Sequence, residues 1–97
     1  LQLGFIAYKK GTEIPKHYHL PVPRNIENTS EVILVRKGKT WLDVYDKNLK
    51  LVKSTLLNVG DIAVLVAGGH GFRQEEDTVL MEIKQGPYAG LKEKERF

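Results

Sequence analysis

Apolar residues in this chain recur with a period of two almost everywhere, and that feature excludes most folds. Side chains alternate between the two faces of a strand, whereas a helix brings a residue back to the same face every 3.6 positions. Thr40, Leu42 and Val44 alternate with Trp41, Asp43 and Tyr45, so this segment has two faces of different character. Glu31 to Val35 is rich in β-branched residues and runs towards Gly38, where a turn can begin. Asp46-Lys47-Asn48 reads as a turn, and Leu51 to Leu57 as the returning strand of a hairpin. Asn58-Val59-Gly60-Asp61 is a second turn, followed by an apolar run from Ile62 to Val66 that Gly68-Gly69 breaks. Thr78 to Lys84 is a late strand before the turn at Gly86-Pro87. Counting Leu3 to Tyr8 at the front, the pattern predicts seven or eight short strands. Only Leu91 to Arg96 could form a terminal helical turn or two. Many short strands in 97 residues predict one all-β domain, residues 1–97, built as a small barrel or sandwich.

Composition narrows the class further. Hydrophobic residues are 41% and charged residues 28%, the balance of an ordinary globular chain. No apolar run approaches the roughly 18 residues of a membrane helix. Leu1 to Tyr8 lacks the basic leader and cleavage site of a signal peptide, which predicts a cytoplasmic protein without a membrane partner. The absence of cysteine removes disulfides, thiolate nucleophiles and all cysteine-based metal sites. The net charge of +3 comes from 15 basic and 12 acidic residues. The basic ones are scattered as Lys9-Lys10, Arg36-Lys37-Lys39 and Lys92-Lys94-Arg96. A nucleic-acid binder would concentrate them on one face with aromatics interleaved, so a solvated surface of mixed sign is expected here.

Two features point to a site. Eleven residues separate His19 from Glu31, with Pro21, Pro23, Arg24 and Asn25 among them. Long connections are often binding loops, although a surface insertion also costs little. The second feature is the placement of the three histidines, His17, His19 and His70. Residues i and i+2 of a strand share a face, so His17 and His19 can converge on one ion if Lys16 to Leu20 is extended. Pro15 favours extended backbone at Ile14. His70 follows Gly68-Gly69, where backbone can approach another strand closely.

These spacings resemble the cupins. Their first motif is a Gly, five residues, His-x-His, a short spacer, Glu, six residues and a Gly, and Gly11, His17, His19, Glu31 and Gly38 fill those slots in order. Gly60, Gly68 and His70 match the second motif, with Asp61 after Gly60. The resemblance covers residues 11 to 74 and implies a cupin-type jelly-roll β-barrel. It also implies one divalent metal ion (iron, manganese, zinc or nickel) held by His17, His19, Glu31 and His70. The chain departs from the motifs in its eleven-residue spacer, where three or four residues are usual. Val66 stands in a Pro slot, one residue rather than two separates Gly68 from His70, and Gln74 stands in an Asn slot. One missing residue flips a strand side chain to the other face unless a bulge restores the phase, so a bulge is expected at Gly68-Gly69. Gly69-His70-Gly71-Phe72 and Lys84 to Tyr88 further resemble small bacterial cupins of unassigned activity.

Secondary candidates surround this set. Arg24, on the long loop, could fork onto a carboxylate or phosphate. Arg73 and Gln74 follow His70, and alternate side chains there should face the cavity. Glu82 and Lys84 share a strand face, either as a buried acid–base pair or as an outward ion pair; Tyr88 could reach the cavity mouth. Trp41 and Tyr45 on an outward face point to a subunit contact and a homodimer. The leading expectation is a metal-dependent protein acting on a small polar metabolite, such as a sugar or oxo acid. As an isomerase or epimerase it would use Glu82 or Tyr88 as proton carrier; as a dioxygenase it would need neither. The alternatives are a non-catalytic module that binds a small ligand or metal, and a structural dimer with a vestigial pocket.

Overall fold

The computed structural model describes residues 1–86, 90 and 94–97. Six strands follow one another: β1 (Glu31–Lys37), β2 (Thr40–Tyr45), β3 (Leu51–Leu57), β4 (Ile62–Leu65), β5 (Gly69–Gln74) and β6 (Val79–Lys84). They form two antiparallel three-stranded sheets, ordered β4-β1-β6 and β3-β2-β5. The protein is all-β, with no α-helix among the described residues. In particular, no described helix is long and apolar enough to cross a membrane.

The alternation seen in the sequence sets the faces. On β1, Glu31, Ile33 and Val35 point one way, opposite Lys84, Glu82 and Leu80 of β6 and, for the first two, Leu65 and Ala63 of β4. On β2, Thr40, Leu42 and Val44 point towards them from the other sheet, opposite Gln74, Phe72 and His70 of β5. The two inner faces meet around Val35, Leu42 and Leu57, with Val44, Ala63, Leu65, Phe72 and Leu80 packed against them. Thr40 is fully buried in this layer and donates its hydroxyl to the Arg73 carbonyl, 3.3 Å away. The site residues Glu31 and His70 sit at the same end of the two sheets, beyond the packed core.

Neither sheet closes on itself among the described residues. Beside β5 the register contains only β2, and beside β6 only β1. The segment Leu3 to Tyr8, expected as a strand, pairs with nothing described and is exposed throughout. The whole stretch from Leu1 to Thr29 is exposed and holds no strand. Among the described residues its one backbone hydrogen bond is local, from the Thr12 amide to the Lys9 carbonyl at 3.1 Å. Alternation in the sequence marks β-competent segments; a strand forms only where a partner edge supplies the ladder. The helical turn expected over Leu91 to Arg96 is absent from residues 94–97, and the rest of that stretch lies outside the described residues.

Candidate functional site

Glu31 opens β1 and His70 is the second residue of β5, and their side chains meet across the gap between the two sheets. The His70 Nε2 lies 2.9 Å from the Glu31 Oε2. Side-chain exposure is 16% for Glu31 and 29% for His70, so the pair is shielded yet reachable from solvent. Burial pushes the Glu31 carboxyl above its ordinary range, and a hydrogen bond with Glu82 adds to the rise. The charges of His70 and Lys84 oppose it.

His70 faces inward without the bulge expected at Gly68-Gly69. The β2–β5 ladder runs unbroken from Tyr45↔Gly69 to Thr40↔Gln74, and His70 stands opposite Val44 on the inner face. The phase is set before the strand begins, by Gly68 with φ +88°, a left-handed conformation that a residue with a Cβ adopts only with strain. Gly69 then leaves room for another group: a Cβ there would lie 2.7 Å from the Phe97 ring. Phe97 itself stacks edge-on against Tyr45, with ring centroids 5.0 Å apart.

The pair opens into a pocket of about 620 Å³. Its polar lining includes Glu31, His70 and Lys84 together with Lys94, Glu95 and Arg96 of the C-terminal segment. Phe72, Tyr45 and Phe97 supply apolar walls. Lys94, Arg96 and Phe97 were not expected here, because scattered basic residues near a chain end read as solvated surface. No periodicity or spacing in the sequence marks them; only the return of the tail over Gly69 does.

The two remaining histidines form a second pair, apart from the first. The rings of His17 and His19 are 5.2 Å apart at 71°, which fits two imidazoles on one side of an extended segment. The His17 Nδ1 is 2.8 Å from the Pro15 carbonyl, a bond in which Nδ1–H donates and Nε2 is left as the free nitrogen. Both rings lie on the exposed arm, and among the described residues no three acidic or imidazole side chains are gathered closely enough to hold one ion. The described fold thus carries the four expected ligands as two pairs.

The two pairs differ in their surroundings. The Glu31 and His70 atoms, 2.9 Å apart, stand at the distance of a hydrogen-bonded ion pair. His17 and His19 offer two imidazoles on the exposed arm, and among the described residues no acidic side chain joins them to make a three-ligand group.

The remaining candidates separate clearly. Lys84 lines the pocket, whereas Glu82 shares the inner phase of β6 but is exposed and lies outside the pocket lining, so the two do not form a buried acid–base pair. Arg24 is exposed on the arm, away from the pocket. Arg73 is corrected: it stands opposite Trp41 on the outer face, one position out of phase with His70. There its Nε and Nη2 donate to the two Asp43 carboxylate oxygens at 2.6 and 2.8 Å. Gln74 shares the inner phase but lies at the far end of β5, outside the pocket lining. Tyr88 lies outside the described residues. Trp41 is outward as expected and is engaged by its own chain, donating to Glu75 at 2.9 Å beneath the Arg73 guanidinium. Comparison with protein-family models, characterised proteins and solved structures found no match for this chain.

Proposed function

We propose that this chain is a metal-dependent protein of the cupin type that acts on a small acidic metabolite. One observation carries the reading: Glu31 and His70 are paired 2.9 Å apart at the edge of a pocket with Lys84 and Arg96 in its wall. His17 and His19 would complete the ligand set from the arm. Two three-stranded sheets packed face to face, each with a free edge, support a jelly-roll barrel that closes when the arm adds strands to β5 and β6. Lys84, Lys94 and Arg96 favour a carboxylate-bearing ligand over a neutral sugar, because cations in a partly dry pocket hold an anion by charge-assisted hydrogen bonds.

The metal, when bound, would supply Lewis-acid polarisation of a substrate carbonyl. The chain's own residues would do the rest. Glu82, which stands beside Glu31, would take a proton from the carbon beside that carbonyl and return it to a neighbouring atom. Lys84 would orient the acid group, and Phe72 would exclude water from one side. An acid–base group beside the ligand pair favours proton-transfer chemistry over a module that only sequesters a ligand.

Elemental analysis of protein purified without chelator tests this reading. The expected result is about one divalent ion per chain in the parent and none in the His17→Ala/His19→Ala variant. Absence of metal from the parent after reconstitution with iron, manganese, zinc or nickel would contradict it.

A further inference from the structure

We propose that residues 94–97 are a strap that gates the pocket, latched where the Phe97 ring seats over Gly69 beside Tyr45. The inference goes beyond the reading above and rests on no metal ion; it concerns access to the Glu31–His70 pair. The pocket wall has three parts. One sheet supplies Glu31 and Lys84, the other supplies Tyr45, His70 and Phe72, and residues 94–97 supply the third part. The first two parts belong to strands held by ladder hydrogen bonds. Residues 94–97 belong to no strand, and among the described residues no backbone hydrogen bond ties them to either sheet.

Position 69 shows what holds this third part in place. Glycine serves many chains by adopting a left-handed backbone, and Gly68 does so at φ +88°. Gly69 does not: its φ lies outside the left-handed range. What glycine provides there is space. A Cβ on residue 69 would lie 2.7 Å from Phe97 Cζ and 3.0 Å from Cε1, closer than carbon atoms pack. Gly71 faces the same side of β5, and a Cβ there would meet nothing within 4 Å. The seat is thus a feature of position 69 and not of a glycine-rich strand. Tyr45, opposite Gly69 in the ladder, forms its other side, edge-on to the Phe97 ring at 5.0 Å.

The latch is light. Phe97 keeps 62% of its surface exposed while seated, so the ring is held by contact on one side only. A segment held in this way opens locally without unfolding the sheets. Lys94 and Arg96 lie within three residues of the ring and move with it. Seating brings both cations into the wall that Lys84 already lines; release withdraws them and opens the way to His70. One ring therefore sets both the access to the Glu31–His70 pair and the positive charge that an acidic ligand meets.

Acylation of the histidines by diethyl pyrocarbonate, followed residue by residue by mass spectrometry, tests the gate. His17 and His19 lie on the exposed arm and serve as internal references. A chelator present throughout makes the result independent of the test of the ligand set. In the parent, His70 is expected to react more slowly than either reference. Phe97→Ala removes the latch and is expected to speed the reaction at His70 about two- to tenfold, the range of one aromatic pair, with the references unchanged. Gly69→Ala fills the seat and is expected to match it, since its methyl displaces the far end of the ring rather than backbone. The double variant is expected to gain nothing further, because both changes undo one contact. Gly71→Ala adds the same methyl where nothing is met and is expected to leave the His70 rate at the parental value. A His70 rate unaltered by Phe97→Ala, or equal to that of the references in the parent, would overturn the gate. An equal gain in Gly71→Ala would show that β5 itself loosens, and would overturn the latch. Each variant is held to the parental circular dichroism spectrum; Phe97→Ala alters a mostly exposed side chain and carries the test if a glycine variant does not fold.

Discussion

Single residues decide which side chains can meet at this site. His70 faces Glu31 because Gly68 turns the chain in a left-handed conformation and lets the β5 ladder start in phase at Gly69. The histidine pattern was legible in the sequence, since His17-x-His19 does place two rings on one side. The phase of His70 was harder to read, because a turn before the strand and a bulge within it leave the same glycine signature. Lys94 and Arg96 were invisible for another reason: only tertiary return of the tail makes them pocket residues. Leu49 shows the same left-handed requirement without glycine, at φ 62° in the turn between β2 and β3. The Asp46 carboxylate there accepts from the Asn48 and Lys50 amides, and this fixes the turn. A left-handed conformation costs a residue with a Cβ about 1–2 kcal/mol, part of which glycine gives back as unfolded-state entropy. Leu49→Gly is therefore expected to stabilise the protein by roughly 0.5–1 kcal/mol in urea unfolding; a lower midpoint would contradict the assignment of strain.

At the scale of elements, five of the six paired strands were the ones the sequence announced. The β2 and β3 segments match their expected bounds, and β1, β4 and β6 differ by one or two residues at an end. Gly69–Gln74 was not marked as a strand, because two glycines and polar ends give it no alternation; pairing with β2 makes it one. Leu3 to Tyr8 has the alternation and no partner within the described chain. The outer face of the second sheet is held by charge as well as by its ladder. Ser54 donates to Asp43 at 2.5 Å and Arg73 clamps both carboxylate oxygens, so β2, β3 and β5 are tied at one point. These bonds hold the Asp43 carboxyl down to about 2. A depressed folded value contributes stability above the ordinary value of 3.8 and loses it as pH falls towards 2. Asp43→Asn is expected to lower the melting temperature at pH 6 and to flatten the loss between pH 4 and pH 2. Parallel acid curves for parent and variant would show that the clamp does not contribute.

For the whole molecule, the central relation is between a folded body and an extended arm. The core, the Glu31–His70 pair and most of the pocket wall belong to β1 through β6, and the other two candidate ligands belong to residues 1–29. Sequence spacing brought all four together on paper. The fold keeps them as two pairs, because ladder hydrogen bonds hold the body while the arm is exposed and joins no ladder among the described residues. On this account the open β5 edge and the paired imidazoles are two halves of one device. Nitrogen-15 spectra of the three imidazole side chains during zinc titration test it most directly, because each histidine reports separately. The expected result is that His17, His19 and His70 shift together and saturate at one zinc per chain. Shifts confined to His17 and His19, with His70 unmoved, would show that arm and body do not share an ion.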